Sequence, residues 1–395
     1  MKKRIGFLWI ASLVSALMLM VSSTSGAEVG ITKDTITVGS SLTFTSPANT
    51  SGRPTRAGIM SYLNVINEQG GIYGRKIKFI AEDDVYDPAK TVAATKKLVE
   101  VDQVFALLAS SGARTTLAVL PYIVDKGVPL ICPYSPVTEL EVPFKRNIFT
   151  TTPCVYEQYY FIADYAIKLG AKRIAQFSMA GSPEGAKSVI DRLAESGMTL
   201  LTDEEFKIME KDFSAMVLRA KSKDPDFCIM GTISAPGALL SKEAQKQGLK
   251  PSLGFMSHST IVDPEYIRLA GSAAEGVMAL EIMKPVESND PEVVEFRTRL
   301  TKYFPQEEIG FFAMHGYVSA KIFCEGMKRA GENPTRAKLI EALESMTGVD
   351  VGFLGGPLSF SPTQHQGTRF CRVCKVKNGK WEPITGWLRF PGKVK

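Results

Sequence analysis

The 395-residue chain carries 47 Lys and Arg against 41 Asp and Glu, a formal charge of +6, with 45% hydrophobic residues. Three of those cations, Lys2, Lys3 and Arg4, sit in the first four positions, so the rest of the chain carries only +3, and with no basic run this excludes a nucleic-acid partner. The length and apolar content suit two domains, each with its own core.

The three cations precede an apolar stretch over 5–21 and the small residues "SGA". This is the build of a secretory signal peptide cut after Ala27, giving a soluble mature chain that begins at Glu28. No cysteine precedes Cys132, so a lipidated N-terminal cysteine is not expected, and no second segment reaches membrane-spanning length. The six cysteines are scattered except for "FCRVCKV", whose strand-like alternation puts Cys371 and Cys374 on opposite faces, unlike a metal or redox pair. Cys132 and Cys228 read as small core residues.

From Thr35 onward the pattern alternates. "TITVGSS" reads as strand, "TRAGIMSYLNVINEQ" as helix, "KIKFIAEDD" as strand, "DPAKTVAATKKLVE" as helix, and "QVFALLA" as strand before the corner "SSGARTT" and a further helix. A buried strand, "VPLICPY", follows. After "NIFTTTP" the alternation restarts with a helix over 155–169, then "RIAQFSM", "EGAKSVIDRLAESG", "TLLTDEEF", "FSAMVLRAKSK", "DFCIMGT", "APGALLSKEAQKQG" and "LGFMS". The prediction is α/β, with two doubly wound parallel-sheet units and a seam near Thr151. Past Ala274 come an extended "GVMALEIMK", helices over 291–303, 311–329 and 334–346, and short C-terminal strands with "KNGK" as a hairpin signal.

Ligands of open parallel sheets bind outside the carboxyl ends of the strands. Five such ends here are rich in Ser, Thr and Gly: "LLASSGARTT", "ICPYSPVTE", "FSMAGSPEG", "MGTISAPG" and "FMSHSTIVD". In the first, Ser110 and Ser111 stand where a serine acts as a nucleophile, as a ligand for an anion, or as a helix cap. "GSPEGAKS" misses a phosphate-binding loop because Ala186 replaces its second glycine, and the first strand leads into no GxGxxG. A serine hydrolase built on Ser110 and His258 is the alternative of a different class, although no GxSxG elbow surrounds Ser110. Glu82, Asp83 and Asp84 end a strand and read as structural, with Asp87 and Asp263 as helix caps.

"INEQGGIYGRKIKFIAEDDVYDPAKTVAATKKLV", "KDFSAMVLRAKSKDPDFCIMG", "KEAQKQGLKP" and "AGSAAEGV" together resemble the periplasmic binding proteins of the leucine/isoleucine/valine-binding type, over nearly the whole mature chain. The resemblance implies a non-enzymatic receptor in the periplasm that feeds an ABC permease of the inner membrane, acts as a monomer and uses no cofactor or metal. It also implies two lobes joined by a three-crossover hinge, with residues 28–151 and 279–355 in the first and 152–278 and 356–395 in the second. By the same resemblance Ser110, Ser111 and the turn bearing Tyr134, Ser135 and Pro136 grip a ligand carboxylate. Ser135 offers its backbone, and Pro136 replaces a threonine donor. Ser51 and Ser182 fall where amino-acid binders often place tyrosines, and Ile233 or Ser234 falls on another such position. Ser259 stands where the family's acidic residue holds an α-ammonium group, and the positions of the family disulfide are Tyr86 and Ala109. The ligand expected is a small carboxylate-bearing molecule, amino-acid-like, aromatic, aliphatic or a 2-oxo acid; one without that ammonium is preferred, a branched-chain or other amino acid met by a carboxylate elsewhere is the runner-up, and Tyr134 and Phe44 line its pocket.

Overall fold

A computed structural model describes residues 28–46, 51–180 and 183–391. The expected signal segment and Ser182 lie outside them.

The first sheet has the order β2-β1-β3-β4-β5 and is parallel throughout. Its strands are β1 (Thr35–Leu42), β2 (Lys76–Asp83), β3 (Ala106–Leu108), β4 (Leu130–Ile131) and β5 (Ile148–Phe149). Helices α1 (Gly52–Glu68), α2 (Pro88–Lys96) and α3 (Ala113–Asp125) cross between them. Asp87 caps α2, its side chain accepting from Lys90 N with Pro88 in the first helical turn, as the sequence predicts. The expected strand through "VPLICPY" forms only at Leu130 and Ile131, because Cys132 turns to φ +52 and takes the chain off the sheet.

After α4 (Val155–Lys168) come β6 (Ile174–Met179), α5 (Pro183–Ala194), β7 (Thr202–Phe206), α6 (Ser214–Ser222), β8 (Phe227–Gly231), α7 (Ser234–Gln247), β9 (Phe255–Ser257) and α8 (Pro264–Ala270). Strands β6 to β9 pair in parallel, and β10 (Met278–Glu281) joins them beside β9. Antiparallel β11 (Phe370–Lys377), β12 (Lys380–Pro383) and β13 (Leu388–Arg389) complete this second sheet. The hairpin at "KNGK" turns through Asn378 at φ +52 and Gly379 at φ +70. Cys371 and Cys374 face different apolar clusters on the two sides of β11. All six cysteines are free and buried.

Three late helices, α9 (Pro291–Tyr303), α10 (Phe311–Ala330) and α11 (Arg336–Glu344), return to the first lobe. There α10 is buried along nearly its whole length against α1, β3 and β4. The chain therefore passes between the lobes three times: after β5, after β10, and between α11 and β11. The second pass follows β10, which lies in the second sheet between parallel β9 and antiparallel β11. Bridges Thr150 to Gln366 and Met283 to Leu354 tie the passes together. Near them Thr138 Oγ1 donates to Glu184 Oε2 at 2.9 Å, linking the β4–β5 loop to α5 across the lobes.

Candidate functional site

Two neighbouring strand ends of the first lobe make the same left-handed turn, with Ala109 after β3 at φ +49 and Cys132 after β4 at φ +52. Neither is glycine, so both are held by their surroundings. The turned segments then zip together. Tyr134 N donates to Ser110 O at 2.8 Å and Gly112 N to Tyr134 O at 3.0 Å, while Ser111 and Tyr134 form a parallel bridge. Gly112, at φ +99, is required there, because a Cβ would stand 2.4 Å from Thr115 Oγ1 and 2.7 Å from the Tyr86 ring.

This zipper gathers Ser110, Ser111, Tyr134 and Ser135 at the start of α3. Ser51, the residue before α1, joins them through an Oγ contact of 3.2 Å with Ser111. The N-cap of α3 is Gly112 and makes no side-chain cap bond, so Ser110 is not a helix cap. Its hydroxyl has no partner among the described residues, and the Ser135 hydroxyl is buried without one. Buried donors without partners beside the first amides of a helix favour an anionic guest. Pro136, half-buried, is tied the other way, its carbonyl accepting from Val155 N at the head of α4.

The three acids that end β2 are structural. Asp84, fully buried, accepts from Ser41 Oγ at 3.1 Å, Thr43 Oγ1 at 2.6 Å and Tyr86 N at 2.9 Å. Asp83 accepts from Phe44 N, Thr45 Oγ1 and Val85 N, and Glu82 pairs with Lys97. Together they fix the loop that carries half-buried Phe44.

In the second lobe Ile233 is the N-cap residue of α7 and bonds through no side chain. Ser234 Oγ reaches Thr260 O at 3.5 Å, bringing the β8 and β9 ends together. Ser259 N donates to Gln158 Oε1 at 3.1 Å, and Gln158 is held in turn by Pro153 O. Tyr159 lies under this surface, 5.2 Å from the His258 ring and so close to β8 that a Cβ at Gly231 would meet its hydroxyl at 2.3 Å. Gln158 and Tyr159 were missed by sequence reasoning, as were Phe311, Phe312 and His315 on α10. The rings of these last three stand 5.1, 5.3 and 5.4 Å from that of Tyr134. The doubled Phe at a helix start was the available signal.

The hydrolase pairing fails on chemistry. His258 Nε2 is engaged by Thr260 Oγ1 at 3.1 Å and Nδ1 faces Ser257 Oγ at 3.4 Å, so neither nitrogen is directed at Ser110. Burial also pushes the imidazole down to about 4, which leaves a weak base.

The hinge holds a second polar constellation. A cavity of about 340 Å³ at the first pass is lined by Glu141, Glu157, Gln366 and Arg369 among others. Donor atoms of Glu141, Cys154 and Glu157 lie within 4.8 Å of one another. Arg369 supplies the cation there, its Nη2 standing 2.7 Å from Glu157 Oε1, and burial raises the Cys154 thiol, which disfavours a thiolate ligand. Burial, and then the charge of Glu157, push Glu141 up to about 8, against the opposing pull of Thr150 and Arg369. A carboxyl raised on folding favours the native state at low pH, and that contribution is lost as pH rises from the usual carboxylate range through about 8. Glu141→Gln is therefore expected to stabilise the protein more at pH 9 than at pH 5. Melting curves of both proteins across that range check it; parallel curves would refute it.

Residues 35–380 match the family model of the periplasmic binding proteins. The chain is 24% identical over 376 residues to Leu/Ile/Val-binding protein homolog 3 of Brucella melitensis, covering 92% of this chain and 98% of that one. It is 25% identical to the leucine-, isoleucine-, valine-, threonine- and alanine-binding protein of Pseudomonas aeruginosa, over 85% and 88% of the two chains. Its fold matches the crystal structure of a branched-chain amino acid ABC transporter from Thermus thermophilus with bound valine at a TM-score of 0.83, with 21% identity, covering 91% of this chain and 97% of that one. With a family model that spans both lobes, the chain belongs to the periplasmic binding protein family.

Proposed function

We propose that the protein captures a small carboxylate that lacks an α-ammonium group between its two lobes. It then presents that ligand, as a periplasmic monomer freed of residues 1–27, to an inner-membrane permease. The observation that carries this reading is the zipped pair of strand ends, with the unpartnered hydroxyls of Ser110 and Ser135 beside the amides of α3. Ser111 and Ser51 extend the polar wall, and Tyr134, backed by Phe311 and Phe312, supplies an apolar one. Ser182, Ile233, Ser234 and Ser259 are assigned to the facing lobe.

The relatives named above bind amino acids according to their names, and an ammonium group taken out of water needs a carboxylate. The stretch Ser257, His258, Ser259 and Thr260 contains none. Asp263, the next acid along the chain, caps α8 by accepting from Glu265 N at 2.7 Å. Neutral small side chains there favour an aromatic, aliphatic or 2-oxo acid.

Calorimetric titration with leucine, phenylalanine, their 2-oxo analogues and simple aromatic acids tests the reading. Micromolar binding of leucine with none of the deaminated acids would overturn it. A ligand held only by the folded form adds about 2.7 kcal/mol at a hundredfold excess over Kd, so melting is expected to rise visibly with the right acid.

A further inference from the structure

A cavity of about 510 Å³ opens beside the proposed site, bounded by the β9–α8 loop, the second hinge pass and the first turn of α10. Its inner wall is aliphatic. Leu280 of β10 and Ile282, Met283 and Val286 of the hinge pass are buried there, and half-buried Val262 and Ile267 face them from the second lobe. Its charges are already paired or outward. Glu281 is bound by Arg372, Lys284 lies 2.9 Å from Asp290, Asp263 caps α8, and Glu287 and Lys380 are exposed. Such a space offers water few partners along its aliphatic wall, but it gives a hydrocarbon a close-packed one.

Two residues join this cavity to the carboxylate corner. Phe311 lines it and also stands 5.1 Å from the Tyr134 ring, next to Ser135. Ser259 lines it from the other lobe. A tail leaving a carboxylate held at Ser110 and Ser135 passes Tyr134 and Phe311 and enters the cavity beside Ser259. We propose that this cavity is a tail subsite, and that the ligand is a monocarboxylate with an extended unbranched or aryl-ended hydrocarbon chain. This rests on the carboxylate reading above and narrows it. The apolar wall selects for chain length, and the small side chain of Ser259 leaves the entrance clear.

Each methylene buried contributes about fourfold in Kd, equivalent to ~0.8 kcal/mol. Calorimetric titration with straight-chain monocarboxylates from butanoate to decanoate is expected to show that gain per carbon until the cavity is filled. Val262→Trp, on a half-buried loop position, is expected to abolish the gain while leaving butanoate binding as in the parent. Should that variant fail to fold, Val262→Ala serves instead, with several-fold weaker binding of the long acids and none of the short. A series in which the short acids bind but affinity does not grow with length, or a gain that survives Val262→Trp, overturns the tail subsite and leaves the carboxylate reading standing. Binding of leucine with no acid of the series overturns the carboxylate reading itself.

Discussion

Ser110→Ala is expected to weaken carboxylate binding ten- to a hundredfold and to leave the melting temperature nearly unchanged. A hydrogen bond to a charged group contributes about 1.5 to 3 kcal/mol, which sets that range. The stability half of the expectation follows from the local geometry. A serine that caps a helix costs about 1 kcal/mol when truncated, but the cap of α3 is Gly112, and the Ser110 hydroxyl bonds to nothing in the described protein. What Ser110 gives the fold is its carbonyl, which accepts from Tyr134 N, and alanine keeps that bond. Titration and thermal melting of the same preparation separate the two roles. Unchanged affinity with a lowered melting point would mean that Ser110 serves the fold and not a ligand.

The strand ends that form this site were legible because alternating apolar runs that stop at Ser and Gly mark where a parallel sheet presents its carboxyl edge. Ser110, Ser111, Tyr134 and Ser135 lie on two such ends, and the ligand roles given to them come from the resemblance; the caps Asp87 and Asp263 were legible because their signals lie within three residues of their effect. The left-handed turns at Ala109 and Cys132 were not legible, since neither residue type favours positive φ and only the zipper between them holds it. Gln158 and Tyr159 were hidden for a different reason. They sit on an apolar helix face that reads as ordinary core, and their partners, Ser259 and Gly231, are some 70 to 100 positions away in the chain. Periodicity reports which face of an element is buried and says nothing about which distant element covers it. The engagement of both nitrogens of His258, which removes the hydrolase alternative, belongs to the same class of tertiary fact.

Gly58→Ala is expected to be the most destabilising exchange of a single hydrogen for a methyl among the helices of the first lobe. In a free helix the change would be favourable by roughly 0.5 to 1 kcal/mol, because glycine loses more backbone freedom on folding than alanine. Here α1 and α10 approach too closely for that gain to count. A Cβ at Gly58 would lie 1.8 Å from Ala313 O and 3.0 Å from Tyr317 N, and on the facing helix a Cβ at Gly316 would lie 2.2 Å from Thr55 O. The obstacles are backbone atoms within helices, which cannot rotate aside as a side chain can, so the helices must separate. Overpacking of this kind costs about 1 to 3 kcal/mol, at the upper end where nothing nearby is soft, and it outweighs the propensity gain. At about 2 to 4 °C per kcal/mol for lobes of this size, a fall of several degrees in melting temperature is expected. The displacement also reaches the site, because the first turn of α10 carries Phe311, Phe312 and His315 against the Tyr134 ring. Weaker carboxylate binding should therefore accompany the lower melting point. Gly386→Ala is the control, since no atom lies within 4 Å of its Cβ position. Equal melting temperatures for the two variants would show that α1 and α10 can part without cost.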